Sequence, residues 1–197
     1  MERAKSTWLY PYDGAGKDVI NIAWEQRKLG DISKTTIGEF VIRTKQNPNS
    51  PYPVYNGGTS YTGFYDNFNN EGNKILISAR GANAGFVNIV KSRYWAGNSC
   101  YSVDIVDKAR FDIDFIYQEM KKNQNRFIEN QQAANIPSVS KVDVEKFEIT
   151  VPSFFEQQKI GDYFRNLDHL ITLHQRKYEK LKSNKRLYQN QRRSSRI

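Results

Sequence analysis

The chain has 197 residues, of which 38% are hydrophobic and 26% charged, and its formal net charge at pH 7 is +9. This length allows one domain of usual size plus an appendage, and the composition argues against disorder throughout. No run approaches the roughly 18–20 apolar residues that span a bilayer, and the N-terminus has no apolar signal-peptide core, so no membrane association is expected. Cys100 is the single cysteine, which excludes an internal disulfide framework and predicts a protein of the reducing cytoplasm.

The positive charge is concentrated near the C-terminus. Residues 24–150 hold 16 basic and 14 acidic residues, a net charge of +2, whereas residues 174–197 hold nine basic residues and one acidic residue, a net charge of +8. A basic end of this kind suits a polyanion such as DNA, with an affinity that falls steeply with salt. It is also common as a solvated terminus, and both interpretations stay open.

In chain order, residues 1–23 show no periodicity and are interpreted as a leader or spacer. From Trp24 the pattern is that of a folded α/β (α+β) domain, predicted over residues 24–151. A short helical turn is predicted over 24–32 with its end at Gly30. Residues 34–74 are expected to be mainly loops, because Pro, Gly and Asn residues interrupt them.

The second half of the predicted domain has clearer local patterns. Residues 74–78 predict a buried strand, and residues 86–90 predict its return strand after a glycine-containing turn. Apolar residues at helical spacing predict a helix within 111–127. A short helix over 141–146 and a strand over 147–151 complete the domain.

A long helix over residues 152–190 is predicted next, followed by a basic tail over 191–197. Ser153 and Glu156 have the spacing of a capping box, so the helix should begin at 153. Selected residues then recur at steps of four and three, a coiled-coil seam: Ile160, Phe164, Leu167, Ile171, His174, Tyr178, Leu181, Lys185 and Tyr188. Such a helix is roughly 55 Å long, which is too long for the preceding domain to cover. The seam residues other than Lys185 are therefore predicted to be dimerisation residues. The alternative is an ordinary amphipathic core helix.

The sequence gives little support to catalysis. Gly14, Gly16 and Lys17 are followed by Asp18, whereas a phosphate-binding loop needs Ser or Thr at that position. Two histidines and one cysteine cannot form a zinc site of ordinary spacing. No motif of an adenine methyltransferase is present. We therefore predict no catalytic residue, no metal and no cofactor.

Three polar segments are predicted to contact DNA. Residues 52–65 interleave four tyrosines with amide, hydroxyl and glycine residues, while segments 91–98 and 43–46 join basic to polar or aromatic side chains. Amides and hydroxyls can read base edges, and glycines let the backbone approach phosphates. The predicted DNA-binding residues are Arg43, Lys45, Tyr55, Asn56, Gly57, Ser60, Tyr61, Arg80, Asn83, Lys91, Arg93 and Tyr94. In the alternative interpretation, the tyrosines pack on the domain, and Tyr94 or Trp95 belongs to the core.

Taken together, the chain resembles one half of a specificity subunit of a type I restriction–modification system. Four sets of segments, within residues 24–190, carry the resemblance: 24–31; 75–81 with Gly85; 136–139 with 151–152 and 156–160; and 167–171 with 179–182. Residues 9–17 loosely resemble the spacer that joins the two halves of a full subunit. The order and spacing of these segments make the resemblance specific.

The resemblance implies a division of labour. The recognition domain would read a few base pairs of double-stranded DNA, the helix would act as a spacer, and separate modification and restriction subunits would supply the chemistry. Full subunits contain two recognition domains and two antiparallel helices, whereas this chain has one of each. The unpaired seam therefore predicts a homodimer that reads an interrupted palindrome. The alternative function is that of an accessory coiled-coil protein that binds a protein partner. A stand-alone nuclease or methyltransferase is a third, less supported option.

Overall fold

The computed structural model describes residues 24–40, 45–129 and 137–194. It shows a mixed α/β domain followed by one long helix, which confirms the predicted fold class. Within these residues the strands are β1 (Glu25–Lys28), β2 (Ser33–Ile37), β3 (Tyr52–Tyr55), β4 (Gly63–Tyr65), β5 (Lys74–Ser78), β6 (Val87–Val90), β7 (Trp95–Ala96), β8 (Cys100–Ile105) and β9 (Glu148–Val151). The helices are α1 (Leu29–Ile32), α2 (Ile113–Lys122), α3 (Arg126–Glu129), α4 (Lys141–Glu145) and α5 (Phe154–Ser194).

The centre of the domain is an antiparallel sheet in the order β2-β8-β5-β6. The predicted strand at 74–78 is β5, and its predicted return strand is β6, which pairs with it from Lys74↔Val90 to Ile77↔Val87. Ile75 and Ile77 belong to the larger core on one side of β5, whereas Leu76 belongs to a second core cluster. Since both faces of β5 are covered, the strand is apolar at consecutive positions and does not alternate.

Helix α2 covers the first face of this sheet. Phe115, Ile116 and Met120 are buried on it, and the N-cap residue Asp112 accepts a hydrogen bond from the backbone N–H of Phe115 at 2.9 Å. The helix predicted within 111–127 is therefore present, but it ends at Lys122 and is followed by the separate short helix α3.

A small sheet of order β4-β3-β7 packs on the second core cluster, to which it contributes Ala96 and the partly buried Tyr55. The described part of residues 34–74 is rich in loops, as predicted, but it also contains β2, β3 and β4, which the sequence pattern did not predict. These strands have only three to five residues, and β3 is completed by β7, about forty residues further along the chain, with Val54 opposite Trp95. Such short strands owe their existence to distant partners, which local patterns do not reveal.

The two ends of the domain meet in a ribbon of β1 and β9, with Glu25 opposite Val151. The predicted helical turn over 24–32 is wrong in its first half, because residues 25–28 form β1. Gly30 does not end the turn but lies inside α1, where a side chain would meet Glu145 of α4 at 3.1 Å. Pairing with a strand 120 residues away outweighs the local helical preference.

The long helix is present as α5 and has 41 residues. The Ser153 hydroxyl accepts a hydrogen bond from the backbone N–H of Glu156 at 3.4 Å, which is one of the two hydrogen bonds of a capping box. At about 1.5 Å per residue, the helix is roughly 60 Å long. Among the described residues, no helix is apolar over a stretch long enough to cross a membrane.

Candidate nucleic-acid interface

Three loops meet at one end of the two sheets. They are residues 56–62 after β3, residues 79–86 between β5 and β6, and residues 97–99 before β8. The strand registers bring them together, because Ser78 at the end of β5 lies opposite Cys100 at the start of β8, and Tyr55 at the end of β3 lies beside Ala96. We call these three segments the reading loops.

The first reading loop is braced from both sides. The side-chain oxygen of Asn56 accepts a hydrogen bond from the backbone N–H of Ser99 at 3.3 Å. The N–H of Gly57 donates to the Cys100 sulfur at 3.0 Å, and the Ser78 hydroxyl donates to the carbonyl of Gly58 at 3.0 Å. These bonds fix the loop, while the Asn56 side chain as a whole remains exposed.

Gly57 is required by this geometry. Its φ of +77° lies in the left-handed region, and a side chain there would meet the Ser99 side chain at 3.0 Å. Glycine alone adopts this region at little cost. Gly57 therefore shapes the loop, and its backbone N–H, bonded to sulfur, is engaged within the domain.

The exposed side chains of the first loop extend the polar surface. Ser60 and Tyr61 are exposed, and the Tyr61 ring packs at 5.0 Å against Phe64 of β4. Lys45 is also exposed, and the neighbouring Asn47 N–H bonds to the carbonyl of Phe64, which places Lys45 beside this hairpin. Tyr55 is half-buried, stacks edge-on against Tyr94 and has a raised pKa because of that burial, so it mainly supports the loop.

The second reading loop contributes Arg80 and Asn83, both exposed. Arg80 forms a β-bridge with Ser138, and its guanidinium has no carboxylate partner within the described part of the chain. Gly81, with φ +86°, begins the turn that presents Asn83 over a shallow hollow of about 150 Å³. Arg80 is thus a cation available to an outside ligand.

Lys91 and Arg93 do not join this group, because they lie near the start of β5, at the opposite end of the sheets. Arg93 forms an ion pair with Glu71 at 2.8 Å and lies over the Phe68 ring at 4.7 Å. Lys91 forms an ion pair with Asp114 at 2.5 Å. Both predicted DNA contacts are therefore already engaged by the domain itself.

The prediction for Tyr94 as a DNA contact is wrong. Its side chain is 0% exposed and its hydroxyl donates to the Ser102 hydroxyl at 2.9 Å, so Tyr94 belongs to the second core cluster. Burial raises its pKa. Arg43 lies outside the described residues. Of the predicted DNA-binding residues, the reading-loop end of the domain gathers Lys45, Tyr55, Asn56, Gly57, Ser60, Tyr61, Arg80 and Asn83.

Sequence reasoning missed Ser99, whose backbone N–H braces Asn56. No local signal marks Ser99, since its role depends on the adjacency of β3 and β8. The interface offers amide, hydroxyl, aromatic and guanidinium groups. These are groups that bind base edges and phosphates. Within the described ranges, no cluster of His, Cys, Asp or Glu residues could hold a metal ion.

The predicted seam of α5 is exposed along most of its length. Ile160 packs against the core and Leu167 is half-buried, but Phe164, Ile171, Tyr178 and Leu181 are 40 to 63% exposed. His174 is exposed as well, whereas the side chain of Tyr188 lies outside the described residues. Tyr163, Leu170 and Leu173 add further exposed apolar surface. The domain does not cover its own seam, as the length argument predicts.

Comparison with known proteins identifies the class to which this fold and these loops belong. Residues 21–183 match the sequence model of a family described as the type I restriction modification DNA specificity domain. The chain therefore belongs to this family, as the resemblance implied.

Two relatives are putative type I specificity subunits from mycoplasmas. The one from Mycoplasma genitalium is 25% identical over 138 residues, covering 70% of this chain and 36% of the relative. The one from Mycoplasma pneumoniae is 23% identical over 139 residues, covering 71% of this chain and 37% of the relative. The chain thus spans little more than a third of the length of these two relatives.

Solved structures agree with this assignment. A crystal structure of a type I restriction-modification system S subunit from M. genitalium superposes with a TM-score of 0.70 at 25% identity, over 78% of this chain and 41% of that one. The HsdS subunit from Thermoanaerobacter tengcongensis has a TM-score of 0.57 at 17% identity, over 82% and 41% of the two chains. The second likeness concerns the fold alone.

Proposed function

We propose that this chain recognises a short DNA sequence as one half of a type I specificity subunit. The observation that carries the proposal is the convergence of three loops at one end of the sheets, where Asn56, Ser60 and Arg80 are exposed on a braced backbone. A rigid set of donors and acceptors is what base readout requires, and a free guanidinium is the commonest partner of guanine or phosphate. Family membership supports the same function.

The proposed role is non-catalytic. A modification subunit and a restriction subunit would perform methylation and cleavage, and this chain would bring them to the site. The complex would act on double-stranded DNA in the cytoplasm.

We further propose that the chain forms an antiparallel homodimer through the α5 seam. The exposed apolar residues need a cover, and the charges along α5 favour a second copy in opposite orientation. Residues 154–175 carry two basic and three acidic side chains, a net charge of −1, whereas residues 176–194 carry eight basic side chains and one acidic side chain, a net charge of +7. An antiparallel pair places unlike halves side by side, while a parallel pair would place the two basic halves together.

Two recognition domains related by a twofold axis present the same surface to opposite strands. The proposed target is therefore an interrupted palindrome, with the helix pair setting the distance between half-sites.

The experiment that tests this function is methylation mapping in cells that express the chain with its cognate modification subunit. The expected result is methylation at one interrupted palindrome, and Arg80→Ala should reduce methylation at that site. Lys108→Ala is the matched control, since Lys108 is exposed after the far end of β8. Absence of a preferred site with the wild-type chain would favour an accessory coiled-coil protein.

A further inference from the structure

The first turns of α5 pack against α2. The residues of α5 that make this contact are stacked on one face of α5. Gln157, Gly161 and Arg165 recur at intervals of four, so they share one face. The seam residues Ile160 and Phe164 each lie one position earlier, about 100° around the helix axis. Ile160 itself packs against the core, but from Phe164 onward the seam is separate from the docking face, and a partner helix can bind there without disturbing the docking.

Gln157 is a buried contact of this docking face, with 2% exposure. Its side-chain oxygen accepts a hydrogen bond from the backbone N–H of Asp112 at 3.0 Å. Its side-chain nitrogen donates to the carbonyls of Arg110 at 3.2 Å and Pro152 at 2.9 Å. All three partners are backbone groups, and the bond to Pro152 is fully buried, so the amide holds α5 in one position relative to the chain before α2.

Gly161 allows α5 to approach the N-terminus of α2 closely. A side chain at this position would lie 2.5 Å from the Asp112 carboxylate and 3.0 Å from the backbone nitrogen of Phe115. Those two groups form the N-cap hydrogen bond of α2. Glycine here therefore serves close packing between the two helices rather than an unusual backbone conformation.

The Asp114 carboxylate adds an electrostatic clamp. It is almost fully buried and forms ion pairs with Arg165 of α5 at 3.0 Å and with Lys91, just after β6, at 2.5 Å. Arg165 is held further by Asp162 at 2.6 Å. Charge-assisted hydrogen bonds are directional, so one carboxylate links the sheet, α2 and α5.

We propose that Gln157, Gly161 and Arg165 are positioning residues that set the angle between α5 and the reading loops, and thereby the number of base pairs between the two half-sites. This inference rests on the proposed DNA-recognition function. The helix is roughly 60 Å long, so a tilt of only about 3° at the docking face displaces its far end, and any partner domain it carries, by about 3 Å, a distance comparable to the rise of one base pair. A fixed spacing consequently demands a stiff junction, and the contacts of Gln157, Gly161 and Arg165, which lie within nine residues, supply one.

The first test measures spacing. A pool of DNA duplexes that differ in the length of the spacer between half-sites is offered to each protein together with the cognate modification subunit. The proteins compared are wild type, Arg165→Ala and Gln157→Ala. Wild type should select one spacer length. In both variants, selection of spacers one base pair longer or shorter should rise relative to the wild-type length by roughly fivefold, the ratio that about 1 kcal/mol of altered preference produces. The half-site sequences should remain the same, because the reading loops are untouched.

Lys180→Ala is the matched control for Arg165→Ala. It removes the same charge from α5 at an exposed position on the side opposite the seam, far from the docking face, and should keep the wild-type spacing. Unchanged spacing preference in Arg165→Ala and Gln157→Ala would overturn the proposal. Arg165 is half exposed, so its variant is expected to fold even if Gln157→Ala does not.

The second test needs no DNA. Spin labels at Asn98→Cys, beside the reading loops, and at Arg176→Cys, on the exposed part of α5, report the distance between domain and helix. The labelled chain is diluted with unlabelled chain so that only distances within one protomer are measured. Arg165→Ala should broaden the distance distribution, and an unchanged distribution would overturn the proposal. Absence of any preferred DNA site in the wild type would instead contradict the proposed function. The distance measurement would still show whether Arg165 stiffens the junction between the domain and α5.

Discussion

One polar group of the Asn56 side chain bonds within the domain and the other is left for an outside ligand. Its oxygen braces Ser99, which leaves the amide nitrogen as a donor toward an acceptor on a base edge. We predict that Asn56→Ala relaxes sequence preference at one position of the half-site, at a cost of about 1–3 kcal/mol on cognate DNA, with a much smaller effect on random DNA. Binding of cognate and random duplexes at a single salt concentration measures the difference. Equal losses on both would remove Asn56 from the readout.

Lys45 supplies the contrasting variant. It is exposed beside the β3–β4 hairpin and forms no ion pair within the described residues, so we expect it to neutralise a phosphate. Lys45→Ala should weaken binding to cognate and random duplexes alike and should lower the slope of log affinity against log salt by about one. Lys108→Ala controls for the loss of a charge at the far end of β8 and should leave the slope unchanged.

Cys100 couples the brace of the first reading loop to pH. Burial raises the pKa of its thiol from 9.0 to about 11. Below pH 9 the thiol is protonated in both the folded and the unfolded chain. Between pH 9 and pH 11 the unfolded chain loses the proton first, so this thiol makes the free energy of unfolding fall as pH rises, by at most about 3 kcal/mol.

Urea unfolding at pH 8.5 and pH 10 checks this prediction. The wild type should lose more stability between the two pH values than Cys100→Ala does, even though the variant starts from a lower stability because the Gly57 N–H loses its partner. The same pH dependence in both proteins would assign the loss to other groups, such as the buried Tyr94, whose pKa is also raised by burial.

At the scale of elements, the sequence predicts what is local. The β5–β6 hairpin, α2 and α5 have patterns within a single stretch of chain, and each is present. The strands β1 and β3 are not predictable in this way, because β1 pairs with β9 and β3 pairs with β7 across large sequence separations. A two- to five-residue strand becomes stable only through such partners.

The same limit applies to the candidate site. Asn56, Ser60 and Arg80 are exposed as predicted, because polar residues after a strand tend to remain in solvent. Tyr94 could not be distinguished from an exposed aromatic, because its neighbour Arg93 makes the segment look like a basic surface. Its burial is decided by contacts with Tyr55 and Ser102, which belong to other strands. Contact of any of the exposed residues with DNA stays a prediction.

The exposed seam predicts the behaviour of single substitutions on α5. Ile171→Asp would place a carboxylate in the proposed helix interface at a cost of several kcal/mol and should convert the dimer to a monomer. His169→Asp is the matched control, because His169 is exposed on the opposite side of the same helix and its substitution should leave the dimer intact. Light scattering at micromolar concentration distinguishes these states. A monomeric wild type would contradict the homodimer unless addition of the modification subunit restores the pair.

At the scale of the whole molecule, the proposed function assigns separate tasks to two stiff parts. The reading loops would set the sequence of a half-site, and α5, fixed at its base by Gln157 and Asp114, would set where the second half-site lies. In an antiparallel pair, the overlapping parts of the two helices determine the distance between the domains. Half-site sequence and spacer length are therefore expected to change independently.

Deletion of residues 173–179 from α5 tests this independence. The deletion removes one heptad, which keeps the seam in phase, because seven residues are close to two whole turns. The segment lies in the proposed overlap of both helices. The seam residues on either side of the deletion can therefore pair again, and the two domains then lie about 10 Å closer together. That distance corresponds to about three base pairs of the spacer. Methylation mapping should then find unchanged half-sites separated by a shorter spacer.

A deletion of five residues, 173–177, is the control for this experiment. It shortens the helix by a similar length but rotates the following seam residues by roughly 140° about the helix axis, since each residue advances by about 100°. Phe164 and Leu181 would then face different directions, so this variant should lose dimerisation and site-specific methylation together. If the seven-residue deletion instead kept the wild-type spacer, α5 would not set the distance. If the wild-type site had two unrelated halves, the chain would have to act with a second, different recognition domain, and the homodimer would be excluded.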